Sequence, residues 1–159
     1  MNTIQKGEIT ELAICAHLIS KGFGVSRPIG NNLRYDLIAD YKGKLIKIQV
    51  KTSRKGKQCN SITFKTVSSH VSTKGKSVRR RYNKNEIDYF ATTYNGEAYF
   101  IPVEDAGSSE FSLRLAPSKN KQIKGIHFLE DYTIKHFLER IKSIMLLAKA
   151  KNLEKRLID

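Results

Sequence analysis

The apolar residues near the N-terminus repeat at helical spacing. Between residues 3 and 20 the apolar side chains that fit one helical stripe are Ile4, Ile9, Leu12, Ala13, Ala16 and Ile19. This spacing is typical of one face of an α-helix. Lys21 and Gly22 then supply a basic last turn and a glycine stop, so the pattern predicts a helix that ends at residue 20.

The next strong pattern is strand-like and covers residues 35–51. Apolar and β-branched residues stand on both sides of the short turn Tyr41-Lys42-Gly43-Lys44, whose glycine can adopt a positive φ. Side chains alternate between two faces along a strand. In the second run one face therefore takes Ile46, Ile48 and Val50, and the other takes Lys47, Gln49 and Lys51. The pattern predicts a β-hairpin with one apolar face and one polar face.

Shorter elements follow along the chain. Alternation predicts strands at residues 23–27, 62–66 and 111–115, and a second hairpin at residues 87–93 and 97–103 around Asn95-Gly96. From Tyr132 onward apolar residues return to helical spacing, and we expect the first half of that helix to lie in the core. Residues 67–85 show no such period. They predict a long exposed segment that becomes ordered on DNA, with Tyr82 available to stack.

Positive charge is concentrated in the middle of the chain. There are 29 Lys and Arg against 15 Asp and Glu, a formal net charge of +14, and no acid lies between Asp40 and Glu86. Ordinary solvated surfaces mix charges of both signs. Nucleic acid is favoured over an anionic membrane, since no basic amphipathic helix lies in this region. The basic residues predicted to contact DNA are Arg54, Lys55, Lys57, Lys65, Arg79, Arg80 and Arg81.

Composition limits the class of protein in three further ways. No apolar run approaches a membrane span and the N-terminus carries no apolar signal segment, so we expect a cytoplasmic protein with no membrane partner. Cys15 and Cys59 lie far apart and in no Cys or His cluster, which predicts neither a zinc site nor a disulfide. The length predicts a single domain spanning residues 1–159.

The polar face of the first hairpin carries the candidate chemistry. Asp36 can approach Gln49 and Lys51 across the hairpin. A carboxylate, a second oxygen ligand and a lysine that meet there can hold a hard divalent cation and activate a water. Glu11, on the predicted first helix, either faces this hairpin or only favours the helix dipole, and the pattern leaves both readings open.

The order of these motifs resembles a known nuclease superfamily. A helix with Gly7-x-x-x-Glu11, a strand, a proline-containing loop, Asp36, a tight turn and Gln49-Val50-Lys51 is similar to the PD-(D/E)xK nucleases. Within them the chain resembles the small homing endonucleases encoded in cyanobacterial group I introns, most specifically over residues 6–52. The resemblance implies an α/β, restriction-endonuclease-like core with a mixed β-sheet flanked by helices. It also implies Mg²⁺-dependent (or other divalent-cation-dependent) cleavage of double-stranded DNA, and a homo-tetramer or homo-dimer.

The resemblance also assigns roles to residues. Asp36 matches the metal-binding aspartate, Lys51 the motif lysine, and Glu11 the helix glutamate that completes the metal site. Gln49 stands where an Asp or Glu is usual in the superfamily, although the intron subfamily has glutamine here. An amide oxygen can bind Mg²⁺ but brings no charge. Negative charge must therefore come from Asp36, the scissile phosphate and Glu11.

Two other functions stay open at this stage. A structure-specific nuclease of the Holliday-junction-resolvase kind shares the Glu-Asp-x-Lys layout, although Gln49 and the long basic segment argue against it. A non-catalytic nucleic-acid-binding protein is consistent with the charge and with Gln49. Cleavage of a branched junction would identify the first, and binding without metal-dependent nicking would identify the second.

Overall fold

Alternating apolar residues build a five-stranded sheet at the centre of the fold. The computed structural model describes residues 1–30, 32–56, 60–107, 109–117 and 123–158, with the backbone alone at 70–71 and 155–158. In chain order the elements are α1 (Thr3–Ser20), β1 (Gly24–Ser26), β2 (Leu37–Tyr41), β3 (Lys44–Val50), β4 (Arg54–Lys55), β5 (Ser61–Lys65), β6 (Val67–Val71), β7 (Ser77–Arg81), β8 (Tyr89–Tyr94), β9 (Glu97–Pro102), β10 (Glu110–Arg114), a 3-10 turn (Leu129–Tyr132) and α2 (Ile134–Ile158).

The central sheet has the strand order β1-β2-β3-β8-β9. Strands β3 and β8 are parallel, and the other neighbours are antiparallel. Both predicted hairpins of this sheet are confirmed. Each closes through two residues with positive φ, Lys42-Gly43 in one and Asn95-Gly96 in the other, which is the geometry that matches strand twist.

Two apolar clusters cover opposite faces of this sheet. Tyr89 and Ala91 of β8 join a cluster with both helices, whereas Phe90 between them joins a cluster with β5, β10 and the 3-10 turn. Strands β10-β5-β4 form a small antiparallel sheet on that second side. The result is a mixed sheet with helices on one face and a second sheet on the other, which confirms the predicted α/β class.

Helix α1 is confirmed, but the stripe that predicted it does not face the core. A capping box begins the helix: Gln5 N donates to Asn2 Oδ1 at 2.9 Å and Asn2 N donates to Gln5 Oε1 at 3.1 Å. The buried positions are Thr10, Ile14 and Leu18. Four residues of the predicted stripe are instead at least half exposed: Ile4, Ile9, Leu12 and Ile19. Apolar residues occupy two faces of this helix, so periodicity alone did not identify the packed one.

Helix α2 is buried only over its first half, as expected. Phe137 and Ile141 are 1% exposed, whereas Leu146, Leu147 and Leu153 are each more than 60% exposed. The ring of Phe137 stacks on Phe100 with centroids 4.3 Å apart. In the described part of the chain, no helix has the length and apolarity that a bilayer crossing needs.

The expectation of an irregular segment at residues 67–85 is wrong. Strands β6 and β7 pair antiparallel in a two-stranded ribbon, with Val67 opposite Arg81 and Val71 opposite Ser77. Its turn contains Gly75 at φ 72° and closes with a 2.8 Å bond from Ser72 N to Lys76 O. Every residue of β7 is exposed. None of the described side chains of the ribbon is fully buried, so it carries no apolar alternation and the sequence pattern did not reveal it.

Candidate active site

Asp36 stands immediately before β2 and is held against the end of β3. Its backbone N donates to Ile48 O at 2.9 Å, which continues the β2–β3 pairing. Its Oδ2 accepts a 2.8 Å hydrogen bond from Val50 N and a short one from Gln49 Nε2. Burial raises the pKa of the Asp36 carboxyl, although the Val50 amide, the Lys51 ammonium and the Gln49 amide all lower it. The bent hairpin thus places this carboxyl in a poorly solvated position.

Gln49 is the buried polar residue of β3, with 7% of its surface exposed. Its Nε2 donates both to Asp36 Oδ2 and to Val50 O, the latter at 3.3 Å. The sequence argument expected the side-chain oxygen to point at the metal site. In this structure the nitrogen faces Asp36, because a carboxylate accepts and cannot donate. The amide must rotate before its oxygen can share a cation with Asp36.

Lys51 directly follows β3 and is fixed at its backbone by a 2.8 Å bond from its N to Ala91 O. Its Nζ donates to the Tyr82 hydroxyl at 3.3 Å and lies 5.1 Å from the centre of the Tyr82 ring. Burial lowers the pKa of the Lys51 ammonium, the Asp36 carboxylate opposes that effect, and Arg34 adds to it. This lysine is therefore enclosed beside Asp36 rather than extended into solvent.

Glu11 faces the hairpin. It lines a cleft of about 260 Å³ together with Asp36, Arg27 and Tyr35, and it forms an ion pair with Arg27. Burial and then the charge of Asp36 raise the pKa of the Glu11 carboxyl by more than Arg27 lowers it. Of the two readings left open by the sequence, the structure supports the one in which Glu11 belongs with Asp36.

The oxygen atoms of this cleft fit a hard divalent cation. Two carboxyls whose pKa values are raised by burial face the same space, and a cation there would favour their ionised forms. Within the described ranges, no three His, Cys, Asp or Glu side chains group in a way that could hold a metal ion. Glu11 and Asp36 would therefore hold it with the Gln49 amide and oxygens of the substrate.

Two arginines beside the candidate site, Arg27 and Arg34, were not predicted from the sequence. Arg27, just after β1, pairs with Glu11, and Arg34 lies over the Tyr82 ring at 3.8 Å from its centre. Tyr82, which the sequence made available for stacking on nucleic acid, is half-buried, and its ring packs against Phe90 and Arg34. Spacing along the chain gave no signal for these contacts, because they join segments that are far apart in sequence.

The residues predicted to bind DNA fall in two places. Arg54 and Lys55 form β4 and Lys65 ends β5, and all three are exposed. Arg54 forms an ion pair with Glu110. Arg79, Arg80 and Arg81 lie on β7. Lys57 lies outside the described residues.

On β7 the three arginines divide between the two faces of the ribbon, because side chains alternate along a strand. Arg79 and Arg81 share one face, and Arg80 lies on the other, where it pairs with Glu86. Ser68, opposite Arg80 in the ribbon, bonds to Arg34. Arg80 and Ser68 thus face the protein body, and Arg79, with no such restraint among the described residues, is the freest of the three.

Comparisons with known proteins agree with this geometry. The family model described as PD-(D/E)XK endonuclease matches residues 1–135. Among curated proteins no match was found. A solved structure of a bacterial homing endonuclease, I-Ssp6803I, superposes with a TM-score of 0.75 at 25% sequence identity, over 91% of this chain and 97% of that chain.

Proposed function

Because the chain belongs to the PD-(D/E)XK endonuclease family, we propose that it is a site-specific homing endonuclease that cuts double-stranded DNA with Mg²⁺. The observation that carries the proposal is the cleft shared by Glu11 and Asp36. Gln49 donates a hydrogen bond to Asp36, and Lys51 lies near enough for the charge of Asp36 to raise its pKa. A helix glutamate and a hairpin aspartate that can hold a divalent cation, with a half-buried lysine nearby, fit metal-assisted phosphodiester hydrolysis.

Each side chain has a distinct part in the proposed reaction. A bound divalent cation supplies Lewis-acid polarisation of the phosphate and a water that is reactive near neutral pH. Asp36 and Glu11 provide the negative charge that holds the cation, and Gln49 provides an uncharged oxygen once its amide has rotated. Lys51 orients or deprotonates the attacking water, or stabilises the charge that develops on the phosphate.

Binding to DNA begins with the exposed basic residues. The β6–β7 ribbon is a two-stranded antiparallel element, a form that fits the major groove. Arg79 and Arg81 line one of its faces, and Arg54 and Lys55 supply a second basic surface. Each phosphate neutralised adds about −0.9 to the slope of log affinity against log salt, so binding should depend steeply on salt.

Exposed apolar faces support the proposed assembly into a homo-tetramer or homo-dimer. Ile4 and Leu12 on α1, and Leu147 and Leu153 on α2, are each more than half exposed. Apolar faces of this kind are typical of surfaces that another subunit covers. A symmetric assembly would match a long target that is at least partly palindromic. For an enzyme encoded in a group I intron, that target would be the insertion site in DNA that lacks the intron.

Cleavage of two DNA substrates tests the proposal. Wild-type protein and the Lys51→Ala variant are incubated with a linear duplex carrying the uninterrupted insertion site and with a four-way junction, each in Mg²⁺ or EDTA. Lys44→Ala, which removes the same charge from the exposed start of β3, is the matched control. We expect cutting at one position of the duplex in Mg²⁺ alone, with Lys51→Ala slower by about 10²-fold or more and Lys44→Ala unchanged.

Other outcomes have defined meanings. Undiminished cutting by Lys51→Ala would refute the assigned active site. Cutting in EDTA would refute the requirement for a metal ion. Cleavage of the junction alone places the protein with structure-specific nucleases. Salt-sensitive binding without any cleavage identifies a nucleic-acid-binding protein.

A further inference from the structure

Tyr82 is held in one position by the residues around its ring. It directly follows β7, and its ring meets Phe90 edge-on at 5.3 Å and 86°. The Arg34 guanidinium covers the ring face at 3.8 Å from its centre. Burial raises the pKa of the Tyr82 hydroxyl by more than Arg34 lowers it, so the hydroxyl stays protonated at neutral pH. A ring packed in this way leaves its hydroxyl little freedom.

That hydroxyl is in contact with Lys51. The Lys51 Nζ donates to it at 3.3 Å and also lies 5.1 Å from the ring centre, within the range of a cation–π contact. In the described part of the chain, no carboxylate comes within ion-pair distance of this ammonium. Asp36 affects Lys51 through its charge but makes no ion pair with it. The position of the Lys51 ammonium is thus set by Tyr82.

The residue that covers Tyr82 also holds the base of the ribbon. Arg34 donates to Ser68 Oγ on β6 and, at 3.0 Å, to Arg81 O at the end of β7. Its Nε lies 3.4 Å from Glu86, which pairs with Arg80 as well. Both strands of the ribbon are therefore fixed to a residue that stands two positions before Asp36, and Tyr82 lies between the ribbon and Lys51.

We propose that Tyr82 is a positioning residue for Lys51, and that it acts through its hydroxyl by holding the ammonium beside Asp36. This inference rests on the proposed function, in which Lys51 takes part in phosphodiester cleavage. Without the hydroxyl the four-carbon side chain of Lys51 keeps its charge but loses its fixed position. A misplacement of about 1 Å can cost about 10² in rate. DNA affinity should change little, because the hydroxyl contacts Lys51 and Ser68 and is not part of the exposed basic surfaces.

The Tyr82→Phe variant isolates the hydroxyl, since it keeps the ring that contacts Arg34 and Phe90. Tyr89→Phe is the matched control: Tyr89 is buried where Tyr82 is half-buried, and the Tyr89 ring packs against Phe137 on the helix side of the sheet. Single-turnover cleavage of the insertion-site duplex is measured in Mg²⁺, and affinity for the same duplex in EDTA. We expect Tyr82→Phe to cut about tenfold more slowly with unchanged affinity. Tyr89→Phe should match the wild type in both.

A second measurement does not depend on cleavage. The urea midpoint of unfolding is determined for wild type, Tyr82→Phe, Lys51→Met and the double variant. If Tyr82 holds Lys51, Tyr82→Phe should lower the urea midpoint by at most half as much in the Lys51→Met background as in the wild type. The effects of substituting two residues in contact are not additive. Equal drops in both backgrounds, or an unchanged single-turnover rate, overturn the inference. A wild type that cuts nothing refutes the proposed function. The comparison of urea midpoints among the four proteins then still shows whether Tyr82 and Lys51 interact.

Discussion

Replacing Gln49 with glutamate should make the stability of the protein depend on metal. In this structure Gln49 Nε2 donates to Asp36 Oδ2 and to Val50 O. An ionised glutamate has no donor to offer either acceptor. Gln49→Glu therefore turns a hydrogen bond into a contact between two carboxylates in a buried position, where Gln49 is only 7% exposed.

The size of the effect follows from two limits. Two like charges about 4 Å apart repel by about 4 kcal/mol at an effective dielectric constant of about 20. The new glutamate can avoid this by taking up a proton, which at pH 7 costs about 3.7 kcal/mol because its ordinary pKa is about 4.3. Loss of the Gln49 hydrogen bond adds about 1 kcal/mol. We expect Gln49→Glu to lower the free energy of unfolding by about 4 to 5 kcal/mol at pH 7 without metal.

The pH dependence has a definite sign. Beside Asp36 the pKa of the new glutamate would be raised in the folded state above its unfolded value, so the folded protein would bind more protons. The stability that such a group contributes is present below the unfolded pKa and is lost as pH rises. The deficit of Gln49→Glu should therefore shrink as pH falls from 7 towards about 4.

Urea unfolding with and without millimolar Mg²⁺ measures the effect. A cation between the two carboxylates removes their repulsion and binds only the folded state, so Mg²⁺ should restore at least half of the loss and stabilise the wild type less. The charge-swapped double variant Asp36→Asn, Gln49→Glu is the matched control, because it returns one charge and one amide to the pair. A Gln49→Glu variant that is as stable as the wild type in EDTA would refute the reasoning. So would an equal gain from Mg²⁺ in both proteins.

Three further predictions concern the core, the cleft and the ribbon. Phe137→Ala should lower the free energy of unfolding in urea by about 3 to 5 kcal/mol, whereas Lys149→Ala on the exposed half of α2 should stay within about 0.5 kcal/mol; similar losses would contradict the assigned core. Arg27→Gln should lower the half-saturating Mg²⁺ concentration in calorimetric titration by about two- to fivefold, because the Arg27 guanidinium no longer competes with Mg²⁺ for Glu11. Weaker Mg²⁺ binding would contradict this competition. Arg79→Ala should reduce the slope of log affinity against log salt by about 0.9 if it contacts one phosphate, as measured by fluorescence anisotropy, and an unchanged slope would remove Arg79 from the DNA surface.

Elements whose signals are local were predictable from the sequence. Alternating residues with Lys42-Gly43 or Asn95-Gly96 between them specify a hairpin within a few positions, because the turn fixes the register. The β6–β7 ribbon gave no such signal. None of its described side chains is fully buried, so nothing selects apolar residues at every second position, and the pairing of β6 with β7 is seen only in the structure.

Strand alternation predicts the part of the candidate site that lies on the first hairpin. Alternation placed Gln49 and Lys51 on one face of β3 and brought Asp36 towards them across the hairpin. The same rule cannot fix the direction of an amide, and it assigned the oxygen of Gln49 where the structure has the nitrogen. The contacts of Arg27 and Tyr82 cross long stretches of chain, and packing decides them rather than pattern.

In the proposed function DNA is held by the ribbon and cut beside Asp36, so holding and cutting take place at separate parts of the protein. A two-stranded hairpin is barely stable in water by itself, and β7 has no buried residue that would help. Its attachment to the protein therefore depends on its base, where Arg34 bonds to β6 and β7 and covers Tyr82. Contacts that order the ribbon also fix Tyr82, and Tyr82 fixes Lys51. Changes along the exposed strand should then alter affinity at a constant cleavage rate, whereas changes at the base, which orders both the ribbon and Tyr82, should alter affinity and rate together.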